Sequence, residues 1–421
     1  MQAGVNGCSV TSRDQVNRGH GRRVRRILVC TPFPPRLDAR HGGKATSQLL
    51  LRLAERNDVA LLTLRTPGGD RVDREIAERC AHVEEVALAD RGRVPRRLIW
   101  GLGILRGVPP WAMDCRSADY TRALEHLLDE WRPDLVEVHF QAMAQYVDAP
   151  ARRGVATILV DYDPPSAWAL EMLRTTRGPR RLVRRLEVAA WRHNERTTRR
   201  RFDAIVVFAD RDLHEVKPTA GKASLVRVPL AVEVPARPLD PQGSDPPAVV
   251  FVGGFAHPPN VDAALWLAKT IFPRVLERVP DARLDLVGHE PGEEVRALAR
   301  GSVAVHASVP DVTPYLDRAA VVVAPIRLGG SMRMKVLEAL AAGKALVATP
   351  RAAEGVDAVA GKHFLLAEDE DELVDALSEL LLDRERRVEL AENARAWAEC
   401  NLGWERGVEA FEQLYEMLVG A

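Results

Sequence analysis

Short apolar runs rich in valine, isoleucine and leucine recur along the chain, and segments with helical spacing separate them. In the first half the runs cover residues 25–35, 58–64, 134–140, 156–163 and 202–210. In the second half they cover residues 248–254, 282–288, 302–309, 319–326 and 344–350. This alternation predicts an α/β protein in which helices cover doubly wound parallel sheets.

The alternation pauses once, at VEVPARPLDPQGSDPP (Val232–Pro247), and then restarts. Proline and polar residues dominate this stretch, so we expect a linker at residues 236–247 between domains at 24–235 and 248–399. A length of 421 residues also suits two domains. Open parallel sheets bind ligands at the carboxyl ends of their strands, so the sequence predicts a cleft between two such edges.

Residues 1–23 are polar and basic and have no apolar core, which predicts a disordered leader rather than a secretory signal. The five cysteines are scattered and show no metal-binding spacing. The sequence contains no run of about 18 apolar residues, so we expect no membrane-spanning helix. These features favour a cytoplasmic protein in a reducing compartment.

The two halves of the chain carry opposite charge although the net charge is zero. Residues 246–421 contain 18 basic and 28 acidic residues, which leaves 41 basic and 31 acidic residues in the rest. The segment Arg174–Arg201 alone holds 11 arginines. It is either a solvated helix face or a contact with an anionic acceptor or the inner face of an anionic membrane. Aromatic interleaving is missing, so we do not expect nucleic acid as a partner.

One helix start combines glycines with cations, in GGSMRMKVLEALAAGK (Gly329–Lys344). The N-terminus of a helix has unpaired N–H groups and partial positive charge. Arg333 and Lys335 would add positive charge there, which predicts a bound anion. Gly329 and Gly330 would let the backbone approach that anion without Cβ atoms in the way.

The motifs VVFVGG, LDLVGHEP, VAVHASVPDVTPYL, AAVVVAPI and VLEALAAGKALVAT occur in this order in the second half. Their order resembles the donor-binding domain of GT-B glycosyltransferases of the large retaining family 4, the glycosyl transferases group 1. HGGKATSQLLLRLA and DLVEVHFQAMAQYV in the first half fit a subgroup of that family. The resemblance implies two Rossmann-like domains that face a central cleft, with a last helix in residues 400–421 that crosses back to the N-terminal domain.

The resemblance also implies an activity: transfer of a sugar from a nucleoside-diphosphate sugar to an acceptor hydroxyl, with retention at the anomeric carbon. The anion would then be the donor diphosphate, and neither a metal nor another cofactor is expected. Glu338 matches the family glutamate that binds the ribose hydroxyls. The remaining donor-binding positions implied by the resemblance are Gly253, Gly254, Val309, Val312, Gly329, Gly330, Ser331 and Met332.

Two departures from the family pattern concern the donor. The first glutamate of the family pair, which contacts the donor sugar, should lie eight residues before Glu338, where this chain has Gly330. The loop Gly253–Leu265 lacks the usual arginine and lysine, and its nearest titratable group is His257. We therefore expect Arg333 and Lys335 to supply the missing positive charge.

Candidates in the N-terminal half follow the ends of predicted strands. Gly42 and Gly43 would form a glycine loop that approaches the donor, or a plain turn. The family often has a histidine where this chain has His139, so the resemblance places its ring against the donor sugar. Asp161 and Asp163 in DYDPP either contact an acceptor hydroxyl or begin a proline-containing turn.

Two other functions are compatible with the same fold. The missing glutamate at Gly330 allows a catalytically inactive GT-B chain that binds a carbohydrate or a partner. A GT-B nucleotide-sugar epimerase needs carboxylates around the sugar, which Gly330 argues against. The acceptor could be a polysaccharide, a lipid-linked glycan or a small natural product.

Overall fold

The computed structural model describes residues 24–37, 42–89, 96–329 and 334–420. Within them the chain forms two α/β domains, one built on a seven-stranded sheet and the other on a six-stranded sheet. All pairs of neighbouring strands in both sheets are parallel. The predicted fold class is confirmed.

The N-terminal sheet has the order β3-β2-β1-β4-β5-β6-β7. Its strands are β1 (Arg26–Thr31), β2 (Asp58–Arg65), β3 (His82–Ala87), β4 (Leu135–His139), β5 (Ala156–Val160), β6 (Ala204–Val207) and β7 (Ser224–Arg227). The helices between them are α1 (Gly42–Ala54), α2 (Arg74–Arg79), α3 (Arg96–Leu105), α4 (Pro110–Asp114), α5 (Ala118–Glu130), α6 (Asp148–Arg152), α7 (Pro165–Thr175), α8 (Arg180–Thr198) and α9 (Asp210–Val216).

The C-terminal sheet has the order β10-β9-β8-β11-β12-β13. Its strands are β8 (Ala248–Val252), β9 (Arg283–Gly288), β10 (Val303–Ala307), β11 (Ala319–Ala324), β12 (Leu346–Ala348) and β13 (Leu365–Leu366). Its helices are α10 (Pro258–Trp266), α11 (Phe272–Arg278), α12 (Glu293–Arg296), α13 (Thr313–Arg318), α14 (Met334–Ala341), α15 (Pro350–Ala353), α16 (Glu370–Leu382) and α17 (Arg384–Asn401). The last helix, α18 (Trp404–Val419), follows.

Three strands were not anticipated from the sequence: β3, β7 and β13. Strand β3 reads HVEEVA and β7 reads SLVR, and both lie at an edge of the N-terminal sheet. Edge strands are partly solvated, so charged residues interrupt their apolar pattern. Strand β13 has only two residues and also lies at an edge.

The central strands are buried on both faces, as their continuous apolar runs predict. In β1, Leu28 and Cys30 face one hydrophobic cluster of the N-terminal domain, while Ile27 and Val29 face the other. This arrangement requires helices on both sides of each sheet and leaves the strand ends as the places where polar loops can gather.

The chain passes between the two domains twice, and the two crossings lie side by side. The first crossing follows β7, and the second joins α17 to α18. The backbone N–H of Val232 donates to the carbonyl of Leu402, which ties the crossings together. Helix α18 then packs on the N-terminal domain, where Val408, Phe411 and Leu414 join the hydrophobic cluster beside β1.

A buried ion pair fixes α18 to β1. Arg25 lies 3.3 Å from Glu412, and both side chains are almost fully buried. The other carboxylate oxygen of Glu412 accepts a hydrogen bond of 2.8 Å from the side-chain amide of Asn57. Glu416, one turn later, lies 4.0 Å from Arg25 and is partly exposed.

The stretch between β7 and β8 adopts no helix or strand and is held against the C-terminal domain. The N–H of Leu239 donates to Ala342, and the N–H of Ser244 donates to Arg318. The fully buried ammonium of Lys344 donates to the carbonyls of Asp240 and Asp317. The linker therefore belongs structurally to the C-terminal domain.

We expect Glu412→Ala to lower the free energy of unfolding by about 3–5 kcal/mol, because it leaves the buried Arg25 without its carboxylate. Urea denaturation measures this change. Glu416→Ala is the matched control and should change stability by less than about 1 kcal/mol, because this carboxylate is solvated and lies 4.0 Å from Arg25. Equal effects of the two substitutions would contradict the assignment of Glu412 as the anchor of α18.

Candidate functional site

Three loops at the carboxyl edge of the C-terminal sheet contain unusual backbone conformations. Glu290 after β9 has φ 48°, Ser308 after β10 has φ 52°, and Gly329 after β11 has φ 91°. Left-handed conformations of non-glycine residues are costly, and they cluster at ligand sites. In an open parallel sheet this edge is also where ligands bind. These loops are therefore the candidate ligand site.

The loop after β8 approaches its neighbours too closely for side chains. A Cβ atom on Gly288 would lie 1.7 Å from the carbonyl oxygen of Gly253. A Cβ atom on Gly253 would lie 3.0 Å from the side-chain amide carbon of Asn260. Packing therefore requires glycine at 288 and leaves little room for a side chain at 253, whether or not Gly253 also approaches a ligand.

Asn260 links this glycine loop to α14. Its side chain is almost fully buried at the start of α10. Its amide nitrogen donates to the carbonyl of Gly254 at 2.9 Å, and its amide oxygen accepts from the ammonium of Lys335 at 2.6 Å. One orientation of the amide satisfies both hydrogen bonds. The ammonium also lies 5.2 Å from the centre of the Phe251 ring.

Lys335 and Glu338 lie one turn apart on α14 and line the same pocket, together with Val252 and Val312. Residues three apart on a helix are neighbours on its surface. The pocket has a volume of about 20 Å³. The structure therefore brings together three of the residues singled out by sequence, Val312, Lys335 and Glu338, and Asn260 connects them to Gly254.

The other residues expected near the donor are less completely described. Val309 is partly buried and packs against the hydrophobic cluster beside α14, as Val312 does. The positions Gly330, Ser331, Met332 and Arg333 lie outside the described residues. The expectation that Arg333 joins Lys335 at a bound diphosphate therefore stays a prediction.

Arg351 was missed in the sequence, although it directly follows the strand-ending motif ALVATP. Its guanidinium donates to the carbonyl of Gly329 at 2.7 Å and to the carboxylate of Glu354 at 3.3 Å. It also donates at 3.3 Å to Glu171, which belongs to the N-terminal domain. Arg351 thus fixes the entrance to the α14 segment and joins it to the opposite domain.

A second cross-domain contact adjoins the first. Arg211 on α9 lies 3.0 Å from Glu354, and Arg227 on β7 lies 2.7 Å from Asp357. Gly355 packs so closely on Ala209 that a Cβ atom there would lie 2.8 Å from the alanine Cβ. The segment after β12 therefore rests against the carboxyl ends of β6 and β7 in the N-terminal domain.

The structure changes the interpretation of Gly42 and Gly43. Both residues lie in the first turn of α1 rather than in a loop before it. The hydroxyl of Ser47 donates to the carbonyl of Gly43 at 2.8 Å, which stabilises this first turn. The glycines therefore present the start of a helix, the part of a helix that binds anions.

His139 is buried, in contrast to the expectation that it faces the donor sugar. Its Nε2 lies 3.0 Å from the carboxylate of Glu137, and its Nδ1 lies 3.1 Å from the hydroxyl of Tyr162. Alternation along β4 places Glu137 and His139 on one face, as expected, but that face is covered by α1 and α18. Both ring nitrogens are engaged inside the domain.

The hydrogen bonds around His139 form a directional chain. The hydroxyl of Thr46 on α1 donates to Tyr162 at 3.0 Å, and Tyr162 can donate to Nδ1 of His139. Nε2 then donates to Glu137, whose other oxygen accepts from Tyr415 on α18 at 2.5 Å. Burial, and then the neighbouring Glu137, raise the pKa of Tyr415 well above its usual value, so it remains a donor. We assign His139 a positioning role.

Asp161 also differs from its expected role as an acceptor contact. It is buried and lies 2.6 Å from the guanidinium of Arg199, which is equally buried. Burial raises the pKa of Asp161, and Arg199 offsets part of that rise. Asp163 is partly exposed and lies 3.9 Å from Arg211. Of the two carboxylates, only Asp163 remains a candidate for contact with an acceptor.

An aromatic cluster at the carboxyl edge of the N-terminal sheet was not anticipated. The ring of Phe140 lies 5.1 Å from Phe33, 5.7 Å from Trp111 and 4.6 Å from Tyr162, measured between ring centres. Phe140 has φ 69°, an unusual conformation for an aromatic residue. Sequence spacing gives no sign of this cluster, because its members come from separate loops.

No group of three or more potential metal ligands occurs among the residues that the structure describes. Within the same part of the chain no helix is long and apolar enough to cross a membrane.

The C-terminal domain is similar in sequence to a known family. Residues 246–383 match the family model described as glycosyl transferases group 1. The match covers about a third of the chain and lies in its C-terminal domain. No curated protein sequence matches it.

Solved structures resemble this GT-B chain over nearly its whole length. Sucrose-phosphate synthase from Thermosynechococcus elongatus is 15% identical and has a TM-score of 0.67, with 94% of this chain and 99% of that chain covered. Anabaena HepE, solved with UDP and glucose, is 14% identical with a TM-score of 0.61, covering 94% of this chain and 100% of that chain. The trehalose-phosphate synthase of Burkholderia vietnamiensis is 13% identical with a TM-score of 0.59, covering 93% of this chain and 100% of that chain. At these identities the likeness establishes the fold.

We expect His139→Ala to lower the free energy of unfolding by about 2–4 kcal/mol, because it leaves the Tyr162 hydroxyl without its acceptor and one buried oxygen of Glu137 without its donor. Urea denaturation measures the loss, and the exposed His126→Ala provides the control. If the variant instead kept its stability and its sugar transfer fell about 100-fold, the result would indicate that His139 contacts the donor sugar directly.

Proposed function

We propose that this GT-B chain is a glycosyltransferase that moves a sugar from a nucleoside-diphosphate sugar to an acceptor hydroxyl. The family match and the fold support glycosyltransferase activity. The observation that supports a nucleotide-sugar donor is the pocket that Lys335 and Glu338 share at the start of α14. A cation and a carboxylate one turn apart suit the two polar parts of a nucleotide, its diphosphate and its ribose.

Each side chain has a distinct task in this proposal. The Glu338 carboxylate accepts hydrogen bonds from the ribose hydroxyls, and the Lys335 ammonium attracts the diphosphate. Asn260 holds the ammonium beside the glycine loop after β8, so the positive charge is oriented before the donor binds. Because the pocket measures about 20 Å³, the nucleotide would lie across its mouth rather than inside it.

Departure of the nucleoside diphosphate needs stabilisation of the negative charge that develops on it. The start of α14 and Lys335 provide positive charge at the place where that charge forms. The proposal therefore requires no metal ion. The retaining stereochemistry remains part of the proposal; in this scheme the leaving diphosphate itself takes the proton of the acceptor hydroxyl, without a nucleophile from the protein.

A second candidate function is a GT-B chain that binds a nucleotide or carbohydrate without transferring sugar. The observation that favours it is Gly330, which stands where the family has a carboxylate for the donor sugar. In that case nucleotide binding would persist while donor turnover would be missing.

We expect one nucleotide among UDP, GDP, ADP and dTDP to bind the purified chain in a calorimetric titration. Glu338→Ala and Lys335→Ala should each weaken its binding by about 10- to 100-fold, the cost of losing a charge-assisted hydrogen bond. Binding should be the same with magnesium and with a chelator.

Controls for this titration are Lys362→Ala and Glu385→Ala, two exposed residues of the same domain. Their affinities should equal that of the unmodified chain. If the Lys335 and Glu338 variants bound the nucleotide as tightly as the unmodified chain does, the result would contradict the proposed donor site. Release of nucleotide from the matching nucleotide sugar then separates a transferase from an inactive binding protein.

A further inference from the structure

Exposed apolar side chains are concentrated on two helices of the N-terminal domain. Of the twelve large hydrophobic residues that are exposed in the described part of the chain, six lie on α3 and α8. We call these six residues the α3–α8 face: Leu98, Leu102, Leu105, Leu182, Val183 and Leu186. Such clustering on a protein surface marks an interaction site, whereas single exposed residues are ordinary.

The three leucines of α3 form one stripe. Leu98, Leu102 and Leu105 follow the spacing of a helix face and are 62%, 57% and 79% exposed. The opposite side of α3 is used inside the fold: Gly103 is buried, and a Cβ atom there would lie 2.4 Å from the side chain of Met113. The helix is therefore apolar on both sides, since Ile99, Trp100 and Ile104 are partly buried, and its leucine stripe is left in solvent.

The first turns of α8 repeat this pattern and add positive charge. Leu182, Val183 and Leu186 are 63%, 56% and 44% exposed. Arg180, Arg181 and Arg185 lie among them and are exposed as well. Neither α3 nor this part of α8 has an acidic residue in its first turn.

The two helices are neighbours. Helix α3 packs against α8, and α8 packs against α7. Just beyond α3, Gly107 lies so close to His193 on α8 that a Cβ atom would approach the imidazole to 2.6 Å. The two apolar stripes therefore belong to adjoining elements of one domain.

A groove between α7 and α8 continues the same chemistry. It has a volume of about 430 Å³. Its apolar lining comes from Leu170, Leu173, Val188 and Ala189, and its polar lining from Arg185, Arg192, His193 and Arg196. A groove with an apolar lining and a cationic rim suits an amphiphile with an anionic head.

The arginines of the segment 174–201 divide into two groups. Arg184, Arg199 and Arg201 form ion pairs with Glu187, Asp161 and Asp148 respectively. The other eight are exposed, and none of them forms an ion pair with a residue that the structure describes: Arg174, Arg177, Arg180, Arg181, Arg185, Arg192, Arg196 and Arg200. Most of the positive charge of this segment is thus available to an external anion.

We propose that the α3–α8 face docks the N-terminal domain on the surface of an anionic lipid bilayer. The face presents exposed leucines surrounded by arginines. The leucines would enter the acyl boundary of the bilayer, and the acidic headgroups would attract the arginines. Nucleic acid would not require the leucines. The proposal does not depend on sugar transfer, since it concerns binding of the protein to the membrane alone.

The test is flotation of the full chain with vesicles of phosphatidylcholine and with vesicles that also contain phosphatidylglycerol. We expect binding only to the vesicles with phosphatidylglycerol, and weaker binding at high salt. Leu102→Gln/Leu105→Gln should reduce this binding at least 10-fold. Arg180→Gln/Arg181→Gln/Arg185→Gln should reduce it similarly and remove most of its salt dependence.

The matched control is Leu382→Gln/Arg384→Gln, an exposed leucine and arginine on the C-terminal domain, which should bind vesicles as the unmodified chain does. Circular dichroism and thermal unfolding show that each variant is folded. Equal binding to both kinds of vesicle, or full binding by the leucine variant, would overturn the proposal. Self-association that the leucine substitutions abolish, without any vesicle binding, would assign the face to a second copy and also overturn it.

Discussion

A single chain of buried hydrogen bonds determines how the N-terminal half of the site is held. It runs from Thr46 through Tyr162, His139 and Glu137 to Tyr415, and so joins α1, β5, β4 and α18. Buried polar groups are costly when a partner is missing, so the members of such a chain depend on one another. The start of α1, with its two glycines, is oriented by residues more than 90 positions later in the sequence.

The C-terminal half of the site also depends on hydrogen bonds between side chains of separate loops. Asn260 joins the glycine loop after β8 to Lys335 at the start of α14. Arg351 joins the end of the β11 loop to Glu171 of the opposite domain. The same few side chains therefore fix the donor-side loops and the contact between domains. A movement of one domain relative to the other would therefore change the position of the loops at the proposed donor site.

The sequence predicts the sheet strands that are buried on both faces, because their apolar runs are continuous, but it does not reveal β3 and β7, whose edge positions allow charged residues. It also identifies Lys335, from the positive charge that it adds at a helix start, and Glu338, from the resemblance to the family motif. The structure brings both side chains to one pocket. It does not reveal that His139 and Asp161 are buried. Alternation along a strand gives the face of each residue but not what covers it, and the cover comes from α1, α18 and the end of α8, distant in sequence.

The central claim is that a nucleoside diphosphate binds at the start of α14, and a crystal structure of the chain with the nucleotide that it binds tests it most directly. The account predicts the ribose hydroxyls within hydrogen-bond distance of the Glu338 carboxylate and the diphosphate beside Lys335 and the glycine loop after β8. A nucleotide bound elsewhere, or one whose ribose lies away from Glu338, would contradict the account.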